Sequence, residues 1–355
     1  MLSTIREVAD RAGVSTTTVS HVINNTRFVS EDVRRRVQAA MDDLGYWPNA
    51  LARSLRRGET HTIGLVLPDS ANPFFAEVGH AVEAAAFAAG YSVLLCNTEG
   101  DCAKEQSYLD VLAERHVDGV ILISAGDGLG SLPALSLRLP VAVVDRDLPD
   151  IQLDAVLTDN RQGGFLATQH LYALGHRRIA CITGPSNLTP SAERVIGYRE
   201  ALAAAGLPVA EDLILRGDFH PESGRRGAHV LFALPDPPSA IFACNDLLAI
   251  GVLRAAAETG RHVPEELAVV GLDDIEIASY VCPPLTTISQ PKLEMGRRAV
   301  LRLLERMTDK TQSPRRDVLA ATLVVRESSQ APARRPFGLE PFRAKSVETT
   351  QKGGA

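Results

Sequence analysis

Residues 4–24, TIREVADRAGVSTTTVSHVIN, form the most informative stretch of the chain. Apolar residues recur every three or four positions on both sides of Gly13, and a good N-cap precedes each run, Thr4 before the first and Ser15 before the second. Glu7 follows Thr4 by three residues, which is the spacing of a capping box. Two helices joined by a short turn with glycine are the helix-turn-helix pattern.

A third helix is predicted over EDVRRRVQAAMDDLG, with Ser30 as its N-cap. The outer face of the second helix carries Thr16, Thr17 and His21, where a helix facing only solvent would favour Lys and Glu. Arginines cluster nearby, at position 27 and at positions 34–36, where they could contact phosphates. The alternative is a three-helix bundle without a ligand. The side chains favour DNA binding.

The segment YWPNALARSLRRGETHTIG, residues 46–64, contains a short helical pattern with few core-forming residues. An isolated helix of this length is marginal in water. Leu55 is its apolar tip and Arg53 is one of the arginines beside it. The segment is either a plain linker or a hinge helix that orders on DNA and inserts Leu55 into the minor groove. We predict the hinge helix.

The charge of the chain is divided unevenly. The 355 residues include 37 Lys and Arg against 43 Asp and Glu, a formal net charge of −6. Residues 1–60 carry nine Arg, no Lys and seven acidic residues, a net of +2, so the remainder carries −8. This division favours a separate nucleic-acid-binding module.

Several classes of protein are excluded by what the sequence lacks. No apolar run is long enough for a bilayer and no secretory signal is present, so we expect a cytoplasmic protein without a membrane partner. The five cysteines form no CxxC pair and are expected to be buried, reduced thiols. No GxGxxG, P-loop, GxSxG or HExxH motif occurs. We therefore predict no enzyme activity, no catalytic residue, no cofactor and no metal site.

From residue 61 onward, short apolar runs alternate with amphipathic helices, which predicts two doubly wound α/β lobes with parallel sheets, divided near residue 160. The strand-like runs are 63–67, 91–96, 118–124, 141–145, 178–183, 240–244 and 267–272; the helices are 75–89, 104–115, 161–174, 191–205, 222–233, 246–258 and 292–307. Ligands of such sheets bind beyond the carboxyl ends of the strands. The tail from about 329 has no periodicity and is predicted to be disordered.

Taken in order, these motifs resemble the Lac repressor family of bacterial transcription regulators over about residues 3–328, and within it the ribose and purine repressors. The motifs that carry the resemblance are 4–24, 44–60, 63–78, 174–185, 245–251 and 269–291. The resemblance implies an N-terminal all-α helix-turn-helix domain with a hinge helix, then a C-terminal α/β two-lobed sensor similar to periplasmic binding proteins. The implied bounds are 1–46 for the DNA-binding domain, 47–60 for the hinge, 61–328 for the effector-binding and dimerisation domain, and 329–355 for the tail. Lobe 1 takes about 61–160 and 291–319, and lobe 2 takes about 161–290 and 320–328.

The resemblance also implies a repressor that binds a pseudo-palindromic operator in double-stranded DNA as a homodimer. By motif position, Thr16, Thr17 and His21 would read base edges. The remaining DNA contacts would come from Thr4, Asn24 and Arg27 at phosphates and from Arg53 and Leu55 in the hinge. A small molecule in the cleft between the lobes would control this binding.

Residues at predicted strand ends match, by motif position, the ligand contacts of ribose-binding proteins. They are Asn72, Phe74, Phe75, Asp145, Arg146, Arg194, Phe219, Asn245, Asp273 and Gln290, and Asn160 is a further candidate for effector binding. Aromatic rings suit the C–H faces of a sugar, and carboxylates, guanidinium groups and amides suit its hydroxyls. Simpler roles stay open: Phe74 and Phe75 as core, and Asp159, Asn160 or Asp246 as helix caps. We expect ribose or a related pentose, with a purine or a phosphorylated carrier protein as the alternative signals.

Overall fold

A computed structural model describes residues 3–47, 59–126, 130, 132–148 and 150–330. Arg53 and Leu55 in the predicted hinge, and the predicted tail beyond residue 330, lie outside the described residues. The chain divides into two compact units. The first comprises Met1–Thr158, Asn187–Thr189 and Pro291–Leu319, and the second comprises Asp159–Ser186, Pro190–Gln290 and Ala320–Ala355.

The amino-terminal region consists of three helices, α1 (Ile5–Ala12), α2 (Thr16–Asn24) and α3 (Glu31–Asp43). The predicted capping box is confirmed, because the Thr4 hydroxyl accepts from the Glu7 N–H and the Glu7 carboxylate accepts from the Thr4 N–H. The predicted turn between α1 and α2 is also confirmed.

The central residue of that turn, Gly13, has a φ of 63°, which a side chain would disfavour. Ser30 occupies the predicted N-cap position of α3, but its hydroxyl makes no capping hydrogen bond. Glu31 and Asp32 in the first turn of α3 instead place negative charge at the helix start.

The predicted apolar stripes of the three helices form one small core. Its buried members are Val8, Ala9, Ala12, Val19, Val22, Val37 and Ala40. Partly buried side chains from the connecting turns, such as Val14 and Val29, close this core. Each helix therefore contributes at least one face to a compact bundle and keeps the opposite face for solvent or a ligand.

The rest of the described chain is an α/β structure, as predicted. Its strands are β1 (Thr62–Leu67), β2 (Ser92–Asn97), β3 (Gly119–Leu122), β4 (Val141–Val144), β5 (Asp154–Thr158), β6 (Ile179–Thr183), β7 (Ile214–Arg216), β8 (Ala240–Ala243), β9 (Ala268–Asp273), β10 (Thr286–Ser289), β11 (Arg316–Leu319) and β12 (Thr322–Val324). Its α-helices are α4 (Pro73–Ala88), α5 (Cys102–Glu114), α6 (Leu132–Ser136), α7 (Asn160–Ala173), α8 (Thr189–Ala204), α9 (Pro221–Phe232), α10 (Asp246–Glu258) and α11 (Lys292–Thr308). In the described residues, no helix is both long and apolar enough to cross a membrane.

Each unit contains one six-stranded sheet. The order is β11-β5-β4-β3-β1-β2 in the first unit and β12-β10-β9-β8-β6-β7 in the second. All pairs are parallel except β12, which runs antiparallel to β10 at the edge of the second sheet. Parallel pairing places the carboxyl ends of β1, β3 and β4 along one edge of the first sheet, and those of β6, β8, β9 and β10 along one edge of the second. The predicted ligand contacts follow these strands.

Two expectations about burial are wrong. The apolar strand runs of a parallel sheet are expected to be buried on both faces, but Leu95 in β2 is 55% exposed. The reason is position, because β2 is an edge strand that pairs only with β1. Cys102 and Cys282 are exposed because they lie outside the strands, whereas Cys181 and Cys244 are buried with free thiols 3.6 Å apart.

The end of the described chain is fixed to the second unit by hydroxyl groups. Ser328 is fully buried, and its hydroxyl donates to the Val269 carbonyl. The Ser329 hydroxyl lies 2.8 Å from Oγ1 of Thr286 and 2.9 Å from Nε2 of His170. The packed chain therefore continues at least to Ser329, the residue at which the predicted tail begins.

Candidate functional site

The outer face of α2 presents polar side chains at its amino-terminal end. Thr16 and Thr17 open the helix and are exposed. One turn further, His21 is half-buried and its Nδ1 lies 2.8 Å from Oγ1 of Thr26. Hydroxyl and imidazole groups can donate and accept hydrogen bonds at base edges. The three predicted base-reading residues thus share one short helix.

The described residues predicted to contact phosphates lie at the ends of α1 and α2. Thr4 is exposed, and its hydroxyl also serves the capping box with Glu7. The Asn24 amide donates to the Ser20 carbonyl at 2.9 Å, at the last turn of α2. Arg27 follows α2 and is exposed. Arg27 therefore offers a cation for a phosphate, while Thr4 and Asn24 also support the helices.

In the first unit, predicted effector contacts gather after β1 and β4. Asn72 is the N-cap of α4, and its side-chain oxygen accepts from the Phe74 N–H at 3.0 Å. Phe74 and Phe75 are buried, and their rings meet edge to face with centroids 5.2 Å apart. The Arg146 guanidinium carbon lies 5.6 Å from the centre of the Phe75 ring, and the preceding Asp145 is buried. The Phe74 and Phe75 rings and the Arg146 guanidinium group therefore lie close together, and the buried Asp145 carboxylate directly precedes Arg146 in the chain.

In the second unit, Arg194 joins the predicted polar residues. Its Nε donates to Asn160 Oδ1 at 2.8 Å and its Nη1 donates to the Cys244 carbonyl at 2.6 Å. Its Nη2 lies 3.9 Å from Asp273 Oδ1, which also accepts from Gln290 Nε2 at 2.8 Å. The Gln290 Oε1 atom is buried and has no hydrogen-bond partner among the described residues. Four predicted residues thus form one polar group held together by hydrogen bonds and an ion pair.

Phe219 and Asn245 adjoin this group. The Asn245 side-chain oxygen caps α10 by accepting from the Leu248 N–H at 2.9 Å, and its amide donates to the Phe219 carbonyl at 3.1 Å. The Phe219 ring centre lies 5.9 Å from the Arg194 guanidinium carbon. Asn245 therefore ties the backbone at Phe219 to the start of α10. It is a structural cap as well as a predicted contact.

Three of the predicted effector residues have positive backbone φ angles. The angles are 65° at Asp145, 69° at Phe219 and 129° at Asp273. A positive φ is uncommon for residues other than glycine and is costly for a bulky side chain such as Phe. Such strained residues concentrate at ligand-binding sites, where the surrounding structure holds them in place.

The open question of helix caps is answered for α7 and α10. Asp159 is the N-cap of α7, whereas Asn160 lies inside the helix and accepts from Arg194. Asp246 is not a cap, because the residue before it fills that position. Asp246 is fully buried, accepting from the Ile275 N–H at 2.9 Å and from the Thr287 hydroxyl at 2.5 Å. It joins α10 to the chain that follows β9 and to β10.

Sequence reasoning missed three residues that shape these groups. Gly184 follows β6, and a Cβ there would overlap the Phe219 ring. Glu105 on α5 and Ser124 after β3 support the loop that contacts Arg146. Gly184 and Ser124 stand near strand ends, so a search of every strand end would have included them. Glu105 carries a different signal, a carboxylate four residues before the apolar Leu109 on the same helix.

The arrangement suits binding better than bond making. Each group consists of buried donors and acceptors, with aromatic rings beside them, and lies at the carboxyl end of parallel strands, where α/β sheets bind ligands. Within the described part of the chain, no group of three or more His, Cys, Asp or Glu side chains could hold a metal ion. The chemistry of these side chains suits recognition of a polar small molecule.

Comparison with protein families gives two matches. Residues 4–49 match the model described as bacterial regulatory proteins, lacI family. Residues 168–329 match a periplasmic binding protein-like domain.

Individual relatives match almost the whole chain. The HTH-type transcriptional repressor PurR of Photobacterium profundum is 43% identical over 330 residues, covering 92% of this chain and 98% of the relative. The ribose operon repressor of Escherichia coli (strain K12) is 42% identical over 330 residues, covering 92% of this chain and 100% of the relative. Among solved structures, the Lac repressor dimer bound to operator and the anti-inducer ONPF superimposes with a TM-score of 0.84 at 29% identity, covering 93% of this chain and 100% of that one.

Proposed function

The chain belongs to the lacI family of bacterial regulatory proteins and is a DNA-binding transcriptional repressor, and from this premise we propose that ribose or a close pentose controls its binding to DNA. We propose that two copies bind a pseudo-palindromic operator in the cytoplasm and that the regulated target is a sugar-utilisation operon. The DNA-reading part is the domain over 1–46 with the hinge over 47–60, and the sensor is the domain over 61–328.

The polar group of the second unit is the observation that carries the pentose proposal. Arg194, Asp273 and Gln290 are each at least nine-tenths buried. Together they offer donors, a charged acceptor and the amide oxygen Gln290 Oε1, which has no partner among the residues that the structure describes. A sugar hydroxyl donates and accepts at once, so a ring of hydroxyls can satisfy such a mixed set. A ligand lacking one hydroxyl would leave a buried group unpaired, which is costly.

The first unit supports the same class of ligand. Phe75 supplies an apolar ring for the C–H face of a sugar, and Asp145 supplies a carboxylate acceptor. The guanidinium group of Arg146 lies against the Phe75 ring, so part of the aromatic surface that a flat nucleobase would stack on is already covered. This contact favours a pentose over a purine. Overall identity does not separate the two, because PurR and the ribose operon repressor match the chain almost equally.

Binding to the operator as a homodimer is proposed for two reasons. The solved Lac repressor relative is a dimer on its operator. The first 60 residues carry a net charge of only +2, so one copy would hold a strongly negative duplex weakly. Two copies double the phosphate contacts and let the two α2 helices read two half-sites.

A thermal-shift screen of the full chain tests the effector. The compounds are pentoses, hexoses, their phosphates and purines, each at about a hundredfold excess over its Kd, where binding adds roughly 2.7 kcal/mol of stability. We expect D-ribose or a close pentose to raise the unfolding temperature. Arg194→Lys should reduce this shift, whereas Arg199→Lys should keep it, since Arg199 lies on the same helix but pairs with the exposed Glu211. If only purines raise the unfolding temperature, the effector is a purine and the pentose proposal is wrong.

Reciprocity tests the control of DNA binding. An operator is first enriched from random DNA with the purified chain, and an inverted repeat is expected. If ribose changes the operator affinity by some factor, the operator must change the ribose affinity by the same factor. Fluorescence anisotropy with labelled operator and calorimetry with ribose measure the two factors. A factor of one in both would show that ribose binding and DNA binding are not coupled.

A further inference from the structure

Glu105 on α5 is a buried carboxylate outside the predicted effector contacts. The residue is only 4% exposed. Leu109 and Leu112, four and seven residues later on the helix, are also buried. These spacings place Glu105 on the inner, apolar stripe of α5, where a leucine would be the ordinary choice.

Two donors from the loop after β3 hold the Glu105 carboxylate. Oε2 accepts from the Ala125 N–H at 2.5 Å, and Oε1 accepts from the Ser124 hydroxyl at 3.2 Å. Burial raises the pKa of Glu105, while the Ala125 N–H, the Ser124 hydroxyl and the positive charge of Arg146 oppose that rise. A buried charge is costly even when it is paired, and an apolar residue of similar size often stabilises a fold as well or better. The carboxylate therefore calls for a role beyond filling space.

The same loop contacts a predicted effector residue. The Ser124 carbonyl accepts a hydrogen bond from Nη1 of Arg146. The Arg146 guanidinium group in turn lies against the Phe75 ring. Glu105 thus fixes Ser124 and Ala125 from one side, and Arg146 takes its position from the Ser124 carbonyl on the other.

We infer that Glu105 is a positioning residue for the effector, which sets the orientation of Arg146 through the backbone of Ser124 and Ala125. The inference rests on the proposed function, because it assigns Arg146 to effector binding. The competing explanation is that Glu105 only anchors the loop to α5. The two explanations differ in one respect. In a positioning role, the effect of substituting Glu105 depends on whether the Arg146 side chain is present, whereas in an anchoring role it does not.

A double-mutant cycle on the full chain separates these explanations. Calorimetry with D-ribose compares the wild type, Glu105→Ala, Arg146→Ala and the double variant. We expect Glu105→Ala to weaken ribose binding roughly tenfold, the value of a hydrogen bond to a charged group. The double variant should bind ribose no more weakly than Arg146→Ala alone. Glu105→Gln, which keeps an acceptor for the Ala125 N–H, should recover most of the affinity, and Glu114→Ala, an exposed carboxylate on the same helix, should leave it unchanged.

A second measurement without ligand keeps the two proposals distinguishable. Urea unfolding of the same four proteins gives the coupling between Glu105 and Arg146 in the absence of ribose. If the double variant loses less stability than the two single variants lose in sum, the result supports an interaction between Glu105 and Arg146. Strictly additive losses overturn it. If the wild type binds no ribose, the pentose proposal fails and this coupling alone decides the inference. If ribose binds but the two substitutions weaken it additively, Glu105 is an anchor and the inference is wrong. If Glu105→Ala does not fold, Glu105→Gln takes its place in the cycle.

Discussion

Phe219 is a bulky aromatic residue in a left-handed backbone conformation, with φ 69°. Asn245 holds its carbonyl, and Arg194 lies against its ring. The ring packs over Gly184 at the end of β6, where the missing side chain leaves the room it needs. Four residues therefore determine one aromatic surface beside the polar group of the second unit.

A methyl group at Gly184 should displace that surface. Gly184→Ala places a Cβ inside the present position of the Phe219 ring, so the ring must turn away. We expect the Kd for ribose, measured by calorimetry, to rise at least roughly tenfold, the loss typical of a misplaced contact residue. Gly79→Ala is the control, because its nearest neighbour would lie 3.5 Å away, at an ordinary contact distance. Equal ribose affinity in Gly184→Ala and the wild type would show that Phe219 is not a contact.

Local chemistry determines which individual residues could be predicted from the sequence. Thr4, Glu7 and Gly13 act within a few residues of themselves, and their roles in the capping box and the turn are confirmed. Asn and Asp both suit an N-cap, so the sequence favours Asp246 in that role, and only the backbone angles place the cap one residue earlier. Glu105 acts on Ser124 and Ala125, which lie some twenty positions away in the chain. No local pattern could reveal such a contact.

At the scale of elements, long apolar runs can be predicted well and short edge strands cannot. Seven strand-like runs and seven helices correspond to elements of the two units, with bounds shifted by a few residues. The predicted strand-like runs do not include β5, β7, β10, β11 and β12. Their apolar runs are at most three residues long, and β7, β11 and β12 lie at sheet edges. Pairing, rather than propensity, makes these segments strands.

The predicted hinge over 47–60 remains a prediction of the sequence, and Leu55 is its test. Unstacking a base step costs a few kcal/mol, and an apolar wedge offsets this cost by filling the opened step and allowing further contacts to the bent DNA. Leu55→Ala should therefore weaken binding to the enriched operator by about tenfold or more in fluorescence anisotropy. The unfolding temperature and the ribose affinity should not change, because the substitution lies outside the sensor domain. Unchanged operator affinity would show that Leu55 is not a wedge.

At the scale of the whole molecule, stability should depend on pH through two half-buried histidines. Burial lowers the pKa of His170 and of His176 below the ordinary value of 6.5, and the neighbouring His176 and Arg177 charges lower them further. The unfolded chain therefore binds protons at a higher pH than the folded chain does. Their contribution to the free energy of unfolding is present above about pH 6.5 and is lost as the pH falls through the folded pKa values.

Urea unfolding at about pH 7.5 and about pH 5.5 measures this dependence. We expect lower stability at the lower pH and a smaller difference between the two conditions in His170→Gln, which cannot gain the charge. Other titrating groups are common to both proteins and cancel in the comparison. An equal pH dependence in the variant and the wild type would assign the effect to groups other than His170.

The mutual contacts of Arg194, Asn160, Asp273 and Gln290 have a consequence for how new ligand preferences arise in this fold. Replacing any one of these side chains leaves a buried neighbour without its partner, so a single mutation costs stability before it can offer a new contact. A shift of preference to another molecule would have to pass through paired or compensating substitutions. Single substitutions are therefore not expected to change the ligand preference. Related proteins that bind a different ligand should differ at several of these positions together.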